Sequence, residues 1–587
     1  MSTAEIPFLD MLDFINKSAA ANHSTSPIIR IHWLRNFSVE GVEPFLKYHL
    51  YRAGFNPAIV FGNYDTIRQE ILDSSSHLYQ HSPHAIVLAL YLEQLAVDSF
   101  SPSWDYNQLI EELQSIYTML ARNTNALIIV NTFIPSFVSE FGITNVPGQI
   151  DRGTKIMEVN RFIRTFVNQN ASRFFLADWD WYIRIHGEEQ CLDYRFWYSS
   201  KAPFKKCFLN DYAFNIVTII NALQGKAKKC LVLDCDNTLW GGIIGEDGLS
   251  GIKLDRNDAP GTIFYHFQHC VLQLYRRGVL ILLCSKNNED DIWDVLDNHP
   301  ACLLKRSHIA AYRINWQDKV TNINALAQEL NLNPDSFVFL DDNPMECEFV
   351  RTMIPGITVL HVPQKLYTYP SLLLKEGLFD TLYISDEDKQ RTQMVQSEAK
   401  RKIVLEASQD IENYLASLNI RATIHPATAE EIPRIAQLTQ KTNQFNLTTT
   451  RYSTTQVETF ITAPEYAVFS MTVADKFGDL GLTAVLIAKK MAETAMIDTL
   501  LMSCRILGRK LEIAFVNHCL THLEKKWQIQ QWQAQYIPTR KNIQTADFWD
   551  KTMGFSEIKG ENQGRTFRLT ANTRINQSIN FITIEAE

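Results

Sequence analysis

The 587-residue sequence has no Cys-x-x-Cys pair, no run of 18 apolar residues and no long basic cluster. Its ten cysteines are scattered from Cys191 to Cys519, several inside apolar runs, without the spacing of a zinc cage or a disulfide framework. Reduced, mostly buried thiols and a cytoplasmic location are therefore expected. Lacking a long apolar run, the chain offers no candidate membrane span. Its start, Met1-Ser-Thr-Ala-Glu-Ile-Pro-Phe-Leu-Asp10, lacks the basic and apolar stretches of a signal peptide. The basic groups at 226–229 and 400–402 are short and the net charge is −9, so nothing in the charge pattern calls for nucleic acid. Internal repeats and low-complexity tracts are also missing, which excludes solenoid arrays.

What is present is an ordinary globular composition, 46% hydrophobic and 21% charged, with enough length for three domains. In 1–223, short apolar β-rich runs at 28–33, 58–61, 84–91 and 126–130 alternate with helical stretches, implying a parallel sheet with helices on its faces. Ile156, Val159, Ile163, Phe166 and Val167 fall at helical spacing and are expected in the core. A second α/β region occupies 227–365, with strands at 228–234, 279–284 and 336–341 and a helix over 320–330. A charged helical connector, 366–419, leads to a third α/β region, 420–587.

The second region carries a phosphoryl-handling pattern. Asp234-x-Asp236-x-Thr238 follows an apolar strand, where open α/β sheets bind ligands. One carboxylate can attack phosphorus, the other can move a proton, and both can help hold a hard cation. Ser285, at a strand end, can donate to a phosphoryl oxygen, and Lys319, at a helix start, can offset transition-state charge. Asp341-Asp342 follows a third strand, with Glu346 beyond it, and can complete a magnesium site of oxygen ligands.

In this order the elements resemble the haloacid-dehalogenase (HAD) phosphatase superfamily. The run Asp234-Cys-Asp-Asn-Thr-Leu-Trp-Gly-Gly-Ile-Ile-Gly-Glu-Asp-Gly248 resembles the FkbH-like HAD proteins of polyketide and related biosynthesis. Cys284-Ser-Lys-Asn287, Asn315-Trp-Gln-Asp-Lys319 and Leu340-Asp-Asp-Asn-Pro344 match as well. The resemblance implies a Rossmannoid core with a minimal cap and Mg2+ as cofactor. It makes Asp234 the nucleophile and a metal ligand. Asp236 becomes the general acid/base, binding metal through its backbone carbonyl. Thr238 and Ser285 become phosphate ligands, Lys319 the neutralising charge, and Asp342 with Asp341 the rest of the metal site. Which of those two binds directly stays open. The resemblance further implies loading of a glyceryl unit from 1,3-bisphosphoglycerate onto a phosphopantetheinylated acyl carrier protein, with dephosphorylation. Cys235 is the candidate to hold the glyceryl group in transit, although strand alternation turns it away from the face used by Asp234 and Asp236. A small-molecule phosphatase and a non-catalytic assembly subunit are the competing readings.

The third region resembles the GNAT acyltransferase fold, a mixed sheet. After the strand ending at Met502, Arg505-Ile-Leu-Gly508-Arg509-Lys510 is similar to the loop that cradles a pyrophosphate at a helix start. Lys510 replaces the family's final small residue, which disfavours ordinary coenzyme A and leaves a phosphopantetheine arm. The first region weakly resembles SGNH hydrolases. Leu34-Arg-Asn-Phe-Ser38 replaces the usual nucleophile segment, Asn131 is a candidate relic of the oxyanion group, and no Asp-x-x-His pair follows. A structural or docking role is expected there, not esterase activity.

Overall fold

The computed structural model describes residues 7–20, 26–135, 139–144, 146–375, 377–382, 384, 386–406, 410–539, 541–558, 564–570 and 581–586. The chain divides into two compact units, 2–222 and 223–587.

In the first unit five parallel strands form one sheet: β1 (Ile28–Arg35), β2 (Asn56–Tyr64), β3 (Ala85–Ala89), β4 (Leu127–Asn131) and β5 (Phe174–Ala177), in the order β2-β1-β3-β4-β5. The strands read as continuous apolar runs because both faces are covered. Val87 and Ala89 of β3 enter one core while Ile86 and Leu88 enter the other. Ile156, Val159, Ile163 and Val167 are buried along the helix Arg152–Gln169, as the spacing implies, and Phe166 packs against the same core half-buried.

The second unit holds two sheets. Strands β6 (Cys230–Leu233), β7 (Leu280–Ser285), β8 (Ile309–Ile314), β9 (Phe337–Asp341) and β10 (Thr358–His361) are parallel in the order β10-β9-β6-β7-β8, so β6 is central. Between β6 and the helix Gly261–Arg276 the chain makes only loops and the short helical turns Ile244–Gly251, so the cap is minimal. Tyr369, Leu373 and Phe379, assigned from sequence to the connector, belong to the core of this sheet. Tyr369 stacks on Phe267 at 4.0 Å and donates its hydroxyl to the Thr238 carbonyl at 2.9 Å.

The remaining strands are β11 (Ile420–Pro426), β12 (Phe445–Asn446), β13 (Tyr466–Asp475), β14 (Gly478–Met491), β15 (Thr494–Met502), β16 (Gln531–Tyr536), β17 (Ser556–Ile558), β18 (Arg565–Thr570) and β19 (Ile582–Ala586). They form a mixed sheet in the order β17-β18-β16-β15-β14-β13-β11-β19, with β12 added against β15. The α/β class and the alternation of parallel and mixed sheets expected from the sequence therefore hold.

The connector joins the two sheets of this unit by buried charge. Arg391 donates to the Gly278 carbonyl just before β7. Asp388 pairs with Arg391 and with Lys441. Along the helix Arg391–Glu406, Arg401 grips Asp475 with two hydrogen bonds of 2.7 Å, and both side chains are essentially without solvent exposure. Arg509 reaches the same carboxylate at 3.2 Å. Asp475→Ala removes the buried carboxylate that two guanidinium groups share and leaves them only Glu398 as an ion-pair partner among the described residues. It is expected to destabilise the unit by about 3–5 kcal/mol, read as a fall in the urea midpoint; a loss below about 1 kcal/mol would mean that water replaces the carboxylate.

Candidate functional site

The C-terminal ends of β6, β7, β8 and β9 converge on Asp234. Its backbone N–H is still on the sheet ladder, donating to Leu340 O at 3.0 Å, so the strand fixes where the carboxylate emerges. The chain then leaves strand geometry. Asn237 adopts a left-handed φ of 52°, and Gly242 one of 95°. A Cβ on Gly242 would lie 2.5 Å from Asp247 Oδ2, so only glycine fits this turn. The turn carries the Ile244 N–H back to Asp236 Oδ1 at 3.0 Å.

Lys319 begins the helix Lys319–Glu329, whose N-cap Asp318 accepts from the Thr321 N–H. It is 3% exposed. Its ammonium donates to Asp234 Oδ1 at 2.5 Å and to the Cys284 carbonyl at 2.6 Å, and it lies 3.2 Å from Asp341 Oδ2. That last approach is an ion pair without hydrogen-bond alignment, so Asp341 Oδ2 stays a buried acceptor lacking a donor. Asp341 Oδ1 accepts from the Asn343 N–H at 2.8 Å.

Oxygens of Asp234, Asp341 and Asp342 lie within 4.8 Å of one another. Three carboxylates face one ammonium, so negative charge is in excess. Burial and the neighbouring carboxylates raise the Asp341 carboxyl and push that of Asp342 up to about 6. A hard divalent cation with oxygen ligands fits this site: it would fill the open acceptor on Asp341 and remove the repulsion that raises the two carboxyls. The side chain of Asp236 stands outside this group. Glu346 does too: its partner is Lys286, at 2.5 Å.

One sequence expectation at this site needs correction. Cys235 has no solvent exposure and lies in the core cluster with Leu231, Leu233 and Leu239. Burial first, and then the Asp234 charge, pushes its thiol well above the usual range, although the Ser285 hydroxyl hydrogen-bonds it. This enclosure and the raised thiol do not fit a group that has to ionise and meet a substrate carbonyl. Thr238 is also fully buried, and its hydroxyl has no hydrogen-bond partner among the described residues. Ser285 ends β7 and is 2% exposed. Sequence reasoning passed over Asn287 and Trp240. Both donate to Asp236, at 2.8 and 2.9 Å. Their signal was available, because both lie in the segments that carry the family resemblance.

The Arg505–Lys510 segment is corrected as well. Arg505 donates to Ser503 Oγ and to Met394 Sδ of the connector helix, and Arg509 is buried between Asp475 and Glu398. Burial lowers the Arg505 guanidinium to about 10. Both cations are thus engaged within the protein. Gly508 at φ 77° and Lys510 at φ 59° lead into the helix Leu511–Trp527. The strands β15 and β16 pair in parallel only from Thr494 to Ile497. Past that point the chain's own residues 445–447 run between them. Phe445 and Asn446 pair with β15, Leu447 N donates to Leu500 O, and Ile537 N donates to Leu447 O at 2.8 Å. Residues 445–447 thus occupy the place between the two strands. Lys441 and Lys541 of the third region contact Lys229 and Asp335 at the N-terminal ends of β6 and β9, the ends opposite Asp234.

In the first unit the strand ends are sealed by buried amides. Asn36 hydrogen-bonds both backbone groups of Tyr91, Asn131 those of Leu90, and Asn160 those of Phe133. Asn131 is therefore a structural clip. The Ser38 hydroxyl donates to the Ser200 carbonyl, a bond that activates no nucleophile.

No family model and no curated protein matches the chain. Among solved structures it is similar to the N-terminal part of the protein BF1531 from Bacteroides fragilis, a part containing a phosphatase domain and complexed with magnesium. The identity is 26% and the TM-score 0.59, over 65% of this chain and 100% of that one. The ribosomal-protein-S18-alanine N-acetyltransferase from Escherichia coli matches at 14% identity and a TM-score of 0.20, over 27% of this chain and 96% of that one. The GNAT domain of S. lividans PAT matches at 15% and 0.21, over 25% and 89%. Scores near 0.2 carry no argument, and the architecture of the mixed sheet rests on its own strand order.

Proposed function

We propose that this protein is a magnesium-dependent phosphatase of the HAD type, with Asp234 as its nucleophile. The observation that carries the reading is the cluster of Asp234, Asp341 and Asp342 around Lys319 at the ends of parallel strands. The likeness to a magnesium-bound phosphatase-domain structure supports it. Lys319 holds one oxygen of Asp234, which leaves the other to attack phosphorus. As that O–P bond forms and the ester P–O bond breaks, Asp236 gives a proton to the leaving oxygen. Asp236 then takes a proton from the water that attacks phosphorus and frees Asp234. Lys319 offsets the charge that accumulates on the phosphoryl oxygens. Magnesium, when bound by Asp234, Asp341 and Asp342, supplies a Lewis acid for those oxygens.

The finer reading adds acyl transfer. The donor is 1,3-bisphosphoglycerate and the acceptor a phosphopantetheinylated acyl carrier protein. The carrier thiol attacks the acyl-phosphate carbonyl, a C–S bond forms as the C–O bond to phosphate breaks, and the remaining phosphate ester is hydrolysed at Asp234. Support comes from the resemblance of 234–248, 284–287, 315–319 and 340–344 to FkbH-like proteins. In this version the thiol belongs to the carrier, because Cys235 is enclosed. The same enclosure favours a second reading, a phosphatase that acylates no carrier. A purely structural subunit has no need of the assembled Asp, Ser and Lys set.

Incubation with Mg2+, 1,3-bisphosphoglycerate and a phosphopantetheinylated carrier, followed by intact-mass analysis, separates the readings. The finer one expects a carrier carrying an unphosphorylated glyceryl group. Phosphate release with no mass gain on the carrier leaves the phosphatase alone.

A further inference from the structure

Asp236 is held on both oxygens, but unequally. Oδ1 accepts two N–H groups, from the Trp240 indole at 2.9 Å and the Ile244 backbone at 3.0 Å. Oδ2 accepts from Asn287 Nδ2 at 2.8 Å. Two donors occupy the lone pairs of Oδ1, so Oδ2 is the oxygen left to carry a proton. The amide nitrogen of Asn287 can only donate. Oδ2 therefore accepts from it whether Asp236 is ionised or protonated, and any proton on Oδ2 has to point along the remaining lone-pair direction.

Asn287 is itself well fixed. It is 6% exposed, two residues past the end of β7 and two before the helix Glu289–Asn298. The Lys286–Glu346 ion pair ties the same short loop to the helix Pro344–Met353. We infer that Asn287 is the positioning residue for proton transfer by Asp236, and that it matters in proportion to how poor the substrate's leaving group is. This rests on the phosphatase reading above.

A poor leaving group, such as an alkoxide, needs its proton during P–O cleavage. A p-nitrophenolate or a carboxylate leaves without one. Because Asp236 also serves the second step, which is common to every substrate, the leaving-group effect is read in the first turnover: Asn287→Ala is expected to slow single-turnover release of glycerol from glycerol 3-phosphate about 100-fold, the range of a misplaced general acid. With p-nitrophenyl phosphate or acetyl phosphate, first-turnover release of p-nitrophenolate or acetate is expected to slow less than about fivefold. Asn287→Leu, close in volume and lacking the donor, should give the same pattern and serves if the alanine variant does not fold; thermal melting checks both. Equal losses of this first-turnover rate on all three substrates, or no loss on any, would overturn the positioning role while leaving the phosphatase reading intact. A parent protein that hydrolyses none of the three in Mg2+ would sink the phosphatase reading, and this inference with it.

Discussion

Asp234→Asn is expected to slow phosphate release at least about 10^4-fold, the scale on which loss of a covalent nucleophile is felt. The amide oxygen is a poor nucleophile toward phosphorus, but it still accepts a hydrogen bond. Lys319, which donates to Asp234 Oδ1 and to the Cys284 carbonyl, therefore keeps its place. The substitution also removes one of three crowded negative charges. The melting temperature should accordingly stay within about 2 °C of the parent or rise. Phosphate release and thermal melting on the same sample test both halves. An active variant would remove Asp234 from the chemistry; an inactive but unfolded one would show that its charge is needed by Lys319 first.

Lys319→Met should be the more damaging change to the fold. It removes the one ammonium among Asp234, Asp341 and Asp342 and leaves buried carboxylates without a counter-charge. Loss of one partner of a buried pair costs about 3–5 kcal/mol, and turnover should fall about 10^2–10^3-fold with the lost electrostatic stabilisation. The stability loss carries a pH signature. A carboxyl raised on folding stabilises the folded state only while protonated. For Asp342 that contribution is complete below the ordinary 3.8 and is lost as pH rises through about 6. Asp341 is raised in the same sense. Without Lys319 both move further up, so the variant should lie close to the parent at pH 5 and far below it at pH 8. Mg2+ should restore part of the stability at pH 8 without restoring turnover. Equal destabilisation at pH 5 and pH 8 in urea unfolding would refute this account.

The parts of the site that could be read from the sequence are those whose position follows from a strand end. Asp234 after β6, Ser285 ending β7 and Asp341 ending β9 follow from apolar runs that stop at polar residues, because a buried parallel strand must end where its ligands begin. Lys319 was readable as the start of a helix. Asn287, Trp240 and Tyr369 were not assigned roles. Trp240 reaches Asp236 within one tight turn, four residues on, whereas Asn287 and Tyr369 arrive by return of the chain, and no local periodicity encodes a contact between residues 51 or 131 positions apart. The Arg505–Lys510 segment shows the opposite failure. Its residue types fit an anion loop, but the connector helix and residues 445–447 occupy the surroundings that loop would need.

The segment 234–248, by its own sequence, pointed to the proposed chemistry: two carboxylates one residue apart after an apolar strand, followed by glycines that suit a tight turn. Tertiary structure alone decided which atoms take part. It enclosed Cys235 and Thr238 completely in the turn that follows the central strand. It brought Asn287 to Asp236 and Lys319 to Asp234, because four parallel strands end side by side however far apart their residues lie in the chain.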